Sequence, residues 1–458
     1  MSEKNRWSRG KRGLFFRMCA FSLCGACAGV WLAGCSSIPL GRSADTGRQI
    51  QRDLKQAVAL RGLPASRGVA IERETPSELH ASLVKELDKE ENRVFLSESE
   101  RLFKQFRVIR RDEDLKALYL RVMSQQIAAY YDPEKKRVAY IENGAGIATN
   151  TAAFPGMERF VYVHEFCHAL EDGQFDLEKL TRDSLSDFDR NLALTSFVEG
   201  NAVLVGMDSV FAEMPANTAT PVGACAVGLF GLAGTDDAQQ KELQGCPAFL
   251  GGSLVRPYLD GAVFSNRIRR EAGWQAVNDV YRKHLPMTTA EILYPEKRFL
   301  KSFKPAAFDP PESLFRAAQQ GVATNSLGAL GTALWFGGDK LVVPRQYGFL
   351  EGWLGDRIYL LKRADGAVAT VWLTYLERPG QARQLTQAME QRLRKDFADV
   401  PWRVERSDRL VAAVWGSDSN AVSAAECQEL ASGALRTRVV ADRPSLLASW
   451  CEDFPWPV

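Results

Sequence analysis

The stretch RFVYVHEFCHALEDGQFD, residues 159–176, places two of the chain's four histidines and a glutamate inside an almost continuous apolar run. At helical spacing the apolar side chains leave no polar face apart from those three residues, so the helix is predicted to be buried on all sides. A chain with such a helix has to fold around it into a body with a large core. Because a buried carboxylate without a partner costs several kcal/mol, we expect this helix to bind something of opposite charge.

His164, Glu165 and His168 in this stretch spell H-E-x-x-H. Each helical residue turns by about 100°, so the two imidazoles fall about 40° apart on one face with the glutamate beside them. Two histidines in that arrangement can hold one metal ion, and the carboxylate can reach a water molecule on it. The alternative is a pair of core histidines with a paired glutamate, but the pattern seldom arises by chance in a chain with four histidines. We therefore predict a metal site.

A catalytic zinc site usually has three protein ligands and one open position. The best candidate for the third ligand is Glu199 in ALTSFVEGNAVLVG, where a lone acid again interrupts an apolar helical run. The other histidines, His80 and His284, lie far away in sequence. Gly200 follows at a cost of about 1 kcal/mol relative to alanine in a helix interior, and we expect it to allow the two metal-binding helices to approach closely.

Two further residues of the motif helix have alternative interpretations. Asp172 lies one turn beyond His168 on the same face, so it either holds an imidazole N–H or is a solvent-facing acid at the helix end. Cys167 could act as a nucleophile, but it points to one side of the histidine face, and cysteine is among the residues most often simply buried. We predict that Cys167 is inert and contributes only to packing.

A helix with H-E-x-x-H followed by a second helix that offers a glutamate is the pattern of the gluzincin metallopeptidases, such as thermolysin. HEFCHALEDGQFDL and FVEGNA resemble more closely a set of largely uncharacterised bacterial H-E-x-x-H proteins, many of them lipoproteins. Segments similar to QQIAAYYDPEKKRVAYI upstream and PYLDGAVF downstream extend the resemblance over about 115–299. The resemblance implies a zincin-like body and a zinc peptidase acting on peptides or proteins.

In that mechanism one Zn²⁺ would be held by His164, His168 and Glu199, and Glu165 would be the general base. The donor that stabilises the oxyanion stays open among four residues of the downstream segment: Tyr258, Tyr281, His284 and Tyr294. Where the similar proteins often read L-H-P-E-K, this chain has Tyr294 in place of the histidine. If that histidine has a role in the group, Tyr294 must supply it or the role is absent.

The N-terminus carries six basic residues and one acid before an uncharged stretch that ends in Leu-Ala-Gly-Cys at Cys35. This order is typical of an export signal, and its end resembles the lipobox of bacterial lipoproteins. We predict a signal peptide over 1–34, lipidation of Cys35 and a tether over 35–50; the alternative is an uncleaved membrane anchor. Ser36 and Ser37 after the lipidated cysteine favour the outer membrane, facing the periplasm, in a Gram-negative cell.

Export also determines the expected charge and cysteine chemistry. Loss of residues 1–34 leaves 52 basic and 55 acidic side chains from the 58 and 56 of the full chain, so no basic face for nucleic acid is expected. In an oxidising compartment we expect two local disulfides, Cys225–Cys246 and Cys427–Cys451, with Cys167 left unpaired.

The fold class predicted from the pattern of elements is α+β. A mainly helical H-E-x-x-H domain is expected over 51–315, and a small α+β domain over 325–458 contains the strands RIYLLKR, AVATVWLTYL and RVERSDRLVAAVWG. Upstream of the motif, helices are predicted over about 50–62, 75–90, 97–109 and 112–131. Predicted helices near the motif cover 157–170, 187–213 and 257–284. Two other functions fit the same residues: a catalytically silent lipoprotein that binds partners during envelope assembly, and a zinc hydrolase of non-peptide substrates. The oligomeric state cannot be read from the sequence.

Overall fold

The structure of the chain is a computed structural model that describes residues 43–65, 69–141, 157–211, 246–301, 303–337 and 347–440. The predicted signal peptide and the predicted lipidation residue Cys35 lie outside these ranges. So do Cys225 and Cys451, the expected disulfide partners of Cys246 and Cys427. Within the described ranges Cys167, Cys246 and Cys427 are buried and form no disulfide with one another, and both disulfides stay predictions.

Helices dominate the first part of the chain. In chain order the elements are α1 (Ser43–Arg61), β1 (Ala70–Glu74), α2 (Pro76–Leu87), α3 (Glu90–Gln105) and α4 (Leu115–Gln126). Thr75 caps α2 in a capping box with Glu78, as Thr75-Pro76 in the sequence indicates. Helix α1 begins seven residues before the predicted start at residue 50, because an apolar stripe marks only the part of a helix that is buried.

Two predicted boundaries in this part are wrong. Helix α3 begins at Glu90 and not at Ser97, since Phe95 and Leu96 are buried and extend the packed face toward the N-terminus. The helix predicted through residue 131 ends at Gln126, and its last residues form a strand instead. Tertiary pairing outweighs helical periodicity there, because aromatic residues are also good strand formers.

A three-stranded sheet covers the motif helix. Strands β2 (Ala129–Asp132) and β3 (Arg137–Ile141) form an antiparallel pair, and β1 adds to β3 in parallel, so the order is β1-β3-β2. The Arg137 guanidinium joins the three strands through Asp132, Glu72 and Glu74. This places β2 at the sheet edge next to the motif helix.

The helices that follow form the centre of the body. They are α5 (Met157–Phe175), α6 (Leu177–Ser184), α7 (Phe188–Phe211), α8 (Ala248–Lys283) and α9 (Thr289–Leu293). Helix α8 begins nine residues before the predicted 257, so Pro257 lies inside it and removes one backbone hydrogen bond. It kinks at Gly273, which has a φ of +68°.

The C-terminal part is built around a five-stranded antiparallel sheet of order β5-β6-β7-β9-β8. Its elements and the small ladder beside it are β4 (Ala307–Asp309), β5 (Val322–Asn325), α10 (Gly328–Gly337), β6 (Trp353–Lys362), β7 (Val368–Leu376), α11 (Pro379–Asp396), β8 (Trp402–Ser407), β9 (Leu410–Gly416), α12 (Ala424–Ala434) and β10 (Arg438–Val440). The predicted strands are present, and RVERSDRLVAAVWG forms the β8–β9 hairpin. The α+β class, with a helical body and a C-terminal sheet, is confirmed.

The helical body and the C-terminal sheet share one core. Phe106, after α3, lies edge-on to Trp335, Trp372 and Trp415, with ring centroids 5.1 to 5.6 Å apart. The Trp335 indole also donates to the Phe106 carbonyl, at 3.1 Å. The largest cluster of buried apolar side chains therefore runs from α2 to β9. In the part of the chain that the structure describes, no helix has the length and apolar character needed to span a bilayer.

Candidate metal centre

The three predicted ligands lie close together. His164 and His168 lie one turn apart on α5, and α7 brings Glu199 up to them. The His164 Nε2 is 3.1 Å from Glu199 Oε2 and 3.1 Å from His168 Nε2, and His168 Nε2 is 3.5 Å from the same carboxylate oxygen. All three side chains are fully buried. The structure therefore brings Glu199 to the two histidines, and their role as metal ligands stays a prediction.

The spacing of these ligand atoms fits a tetrahedral metal. Bonds of about 2.0–2.1 Å at tetrahedral angles place neighbouring ligand atoms about 3.3 Å apart, close to the three separations above. Two imidazole nitrogens and a carboxylate oxygen converge here in a dry setting, and at most one proton can lie between any two of them. A cation at their centre would satisfy all three at once.

The protonation states suit metal binding. Burial lowers the pKa of His164, and it lowers the pKa of His168 to about 4, so both imidazoles are neutral and carry a free electron pair at neutral pH. Burial raises the pKa of Glu199 to about 6, with the hydrogen bond from His164 acting in the opposite direction. Glu199 is therefore largely ionised at pH 7 and available as an anionic ligand.

The local charge balance also favours a divalent cation. Four buried carboxyl groups lie in or beside the centre: Glu165, Glu171, Asp172 and Glu199. Arg61 pairs with Glu171 at 2.8 Å and Lys136 pairs with Asp172 at 2.6 Å. Among the described residues no lysine or arginine pairs with Glu165 or Glu199, so one divalent ion would match the charge that these two carboxyl groups carry when both are ionised.

Glu165 lies beside the ligands and is held by the sheet. Its Oε2 accepts a hydrogen bond from the Tyr131 backbone N–H of β2, at 2.9 Å. Its Oε1 has no hydrogen-bond partner among the described residues. Burial and the nearby Glu199 charge raise the pKa of Glu165 well above its ordinary range. One oxygen is thus fixed while the other is free to exchange a proton, and a cation held by the three neighbouring ligands would favour the ionised form that a general base needs.

Among the four candidate oxyanion donors, Tyr258 of α8 contacts two of the three candidate ligands. Its hydroxyl hydrogen-bonds to Glu199, and its ring stacks on His164 with centroids 6.0 Å apart.

The other three candidates have different neighbours. Tyr281 donates to Glu171, His284 lies 3.4 Å from Glu291 and stacks on Phe299, and Tyr294 lies near Glu351 and Asp260. The structure thus places Tyr258 at the centre, a distinction that helical spacing alone could not make.

Asp172 is buried and not solvent-facing, but its hydrogen bonds go elsewhere. Its carboxylate accepts from the Tyr131 hydroxyl at 2.9 Å, from Lys136 at 2.6 Å and from the Leu177 N–H at 3.1 Å. It acts on His168 through its charge, so the predicted hydrogen bond to an imidazole N–H is replaced by these three. Asp172 fixes the end of α5 against β2.

Cys167 is fully buried, and burial raises the pKa of its thiol well above the ordinary value. The nucleophilic thiolate is therefore scarce at neutral pH. This environment agrees with the predicted packing role.

The prediction for Gly200 named the wrong partner. A Cβ on Gly200 would lie 2.6 Å from the Ala262 nitrogen and overlap the Gly261 carbonyl, so Gly200 brings α7 against α8 and not against α5. The glycine that faces α5 is Gly206, whose Cβ would lie 2.9 Å from the Phe160 ring. Both close approaches fix the position of Glu199 along α7.

Comparison with known proteins adds one match. Residues 315–433 match the family model described as "Domain of unknown function (DUF8575)". No curated protein and no solved structure matches the chain. The matched segment contains none of the candidate metal ligands.

The partner of Glu171 cannot be predicted from the sequence. This acid stood in the same apolar run as the motif, so it too required a buried cation, but Arg61 lies 110 residues away. A pair so far apart in sequence is recognised only when the packing of the helices is known.

Proposed function

We propose that the protein is a zinc-dependent peptidase. The observation that carries this proposal is the convergence of His164, His168 and Glu199 within 3.1–3.5 Å, with Glu165 next to them. Three protein ligands leave one position of a tetrahedral metal for water, as catalytic zinc sites do and closed structural sites do not. The resemblance of HEFCHALEDGQFDL and FVEGNA to gluzincin peptidases supports the same function.

A bound zinc ion would supply Lewis acidity, which brings the pKa of a coordinated water near neutrality. The chain's own residues do the rest. Glu165 takes the proton of the attacking water on Oε1 while the Tyr131 N–H holds Oε2, and it then transfers that proton to the leaving amine. The Tyr258 hydroxyl, released from Glu199, is the proposed donor to the developing oxyanion.

The proposal includes the cellular setting read from the N-terminus. Cleavage before Cys35 and its lipidation would tether the catalytic body to the cell envelope, so that peptides or proteins of that compartment are the substrates. Incorporation of a labelled fatty acid into the wild-type chain, and its loss in Cys35→Ala, tests this part separately from the activity.

A second candidate function is a catalytically silent binding or assembly factor on the same fold. The observation that favours it is the complete burial of Glu165 and all three ligands, because a substrate reaches a catalytic site only through an opening. Metal binding without turnover would be the behaviour expected of such a protein.

One comparison separates the two functions. The chain without residues 1–35 is purified, its zinc content is measured, and cleavage of a denatured protein is compared for wild type and Glu165→Gln. Glu90→Gln, an exposed glutamate on α3, is the control. We expect zinc in all three proteins and a loss of cleavage of roughly a hundredfold or more only in Glu165→Gln.

The failures of this comparison are also informative. Wild type that neither contains zinc nor takes it up after metal removal would refute the metal site. Wild type with stoichiometric zinc and no cleavage would refute the peptidase and support the binding factor. Equal cleavage by wild type and Glu165→Gln would refute the role of Glu165.

A further inference from the structure

A second buried polar group lies directly behind the metal centre. It consists of Arg61 from α1, Glu171 from α5, Tyr281 from α8 and Asn201 from α7, referred to below as the rear network. The Arg61 Nε donates to Glu171 Oε1 at 2.8 Å, and the Tyr281 hydroxyl donates to Glu171 Oε2 at 2.7 Å. The Asn201 amide donates to the Tyr281 oxygen at 3.2 Å. Each bond joins two different helices.

Two members of the rear network lie on the same helices as the proposed metal ligands and within three residues of them. Glu171 follows His168 by three residues on α5, and Asn201 follows Glu199 by two residues on α7. The path from Glu171 through Tyr281 to Asn201 therefore links the two helices that supply the ligands. The charge of Glu171 also acts directly on His168.

A buried ion pair is a poor way to gain stability. Arg61 and Glu171 are fully buried, and desolvating two such charges offsets most of their attraction, so apolar side chains of the same size would serve stability as well or better. Arg61 is compensated further by the Trp274 ring, 4.5 Å from its guanidinium carbon. Directional hydrogen bonds hold a geometry that apolar contacts hold less strictly.

We propose that the rear network positions the metal ligands, holding His168 on α5 and Glu199 on α7 at the separation that a metal requires. This inference rests on the proposed metal site. Its members are positioning residues, because they act through the ligand helices and touch neither metal nor substrate. Tyr281 is the central member, since its one hydroxyl accepts from α7 and donates to α5.

Replacement of Tyr281 by phenylalanine tests this role with the smallest change. The ring would keep its stacking on Phe175, with centroids 4.3 Å apart, and its contact with Phe197. Only the hydroxyl and its two hydrogen bonds are lost. Tyr347→Phe is the matched control, because the Tyr347 hydroxyl also makes a hydrogen bond, to the Phe336 carbonyl at 2.9 Å, in the C-terminal part of the fold.

The experiment measures zinc affinity by competition with a chelator and the visible absorption spectrum of the Co²⁺-substituted protein. Loss of a group that orients metal ligands typically weakens binding by about 10–100-fold. We expect a loss in that range for Tyr281→Phe, together with an altered cobalt spectrum, since the d–d bands report ligand geometry. Tyr347→Phe should match wild type in both.

The outcomes decide between the two levels of inference. Wild-type affinity and spectrum in Tyr281→Phe would overturn the positioning role while the metal site stands. Failure of wild type to bind Zn²⁺ or Co²⁺ would overturn the metal site and this inference with it. If Tyr281→Phe does not fold, Asn201→Ala breaks only the bond to α7, and unchanged affinity and spectrum in that variant would overturn the role equally.

Discussion

Replacing Gly200 by alanine is the sharpest test of how the two long helices meet. A Cβ at this position would lie 2.6 Å from the Ala262 nitrogen and overlap the Gly261 carbonyl, whereas atoms in contact lie about 3.5–4.0 Å apart. These neighbours are backbone atoms, so no side chain can rotate out of the way. Helices α7 and α8 would have to separate by about 1 Å, which forfeits a quarter to a half of the contact energy between facing atoms.

The size of the effect follows from two opposing terms. Overpacking of a tight core typically costs about 1–3 kcal/mol and occasionally more, and a backbone clash belongs at the upper end. Alanine recovers about 1 kcal/mol of helix propensity relative to glycine. We expect a net loss of about 2 kcal/mol in the free energy of unfolding, together with weaker zinc binding because Glu199 is the preceding residue.

Denaturant unfolding of the metal-free protein measures the first effect and chelator competition the second. Gly251→Ala on α8 is the matched control, because its Cβ would meet no atom within 4 Å; this variant should be as stable as wild type or more stable by up to about 1 kcal/mol. If Gly200→Ala unfolded at the same denaturant concentration as Gly251→Ala and bound zinc like wild type, the close crossing of α7 and α8 would be refuted.

Three other predictions concern single side chains. Because the pKa of Glu199 is about 6 without metal, protons should compete with the metal, and zinc affinity measured by titration should fall roughly tenfold per pH unit below about 6; a flat profile would contradict this. Burial raises the pKa of Asp356 to about 6, so the folded state holds its proton more tightly, and this stabilisation is complete below about pH 4 and lost as the pH rises through 6. The stability difference between wild type and Asp356→Asn should therefore change by up to about 3 kcal/mol between pH 4 and 7 in denaturant unfolding, and no change would contradict the assignment. Tyr258→Phe should keep its zinc and the ring stacked on His164, yet lose a factor of roughly ten to a thousand in kcat for peptide cleavage; an undiminished kcat would exclude it as the oxyanion donor.

The cluster of candidate metal ligands can be predicted from the sequence because its signal is local. An H-E-x-x-H sequence fixes two imidazoles on one helical face whatever surrounds them, and Glu199 stood out as a lone acid in an apolar run. The same reasoning failed at residues 129–131, where aromatic side chains suit a strand as well as a helix and the pairing with β3 decided the outcome. The sequence indicates that Gly200 is a contact point between helices, but helical spacing cannot say which helix lies opposite.

Contacts between distant segments stayed hidden for a similar reason. Nothing in the sequence near Arg61 indicates that it pairs with Glu171. Four residues are equal candidates for the oxyanion donor in the sequence, and only the packing of the helices places Tyr258 on His164. Local chemistry can be read from residue types and spacing, whereas partnership across the core depends on the assembled fold.

The three tryptophans around Phe106 indicate whether the segment that matches the family model can fold by itself. Trp335, Trp372 and Trp415 lie within the segment 315–433 that matches the family model, but the ring they surround comes from outside it. Expressed alone, that segment would leave the indoles without their central ring and expose a broad apolar surface prone to aggregation. In this chain, the boundaries of the matched segment would then not be those of an independent folding unit, because the segment needs Phe106 from the helical body to complete its core.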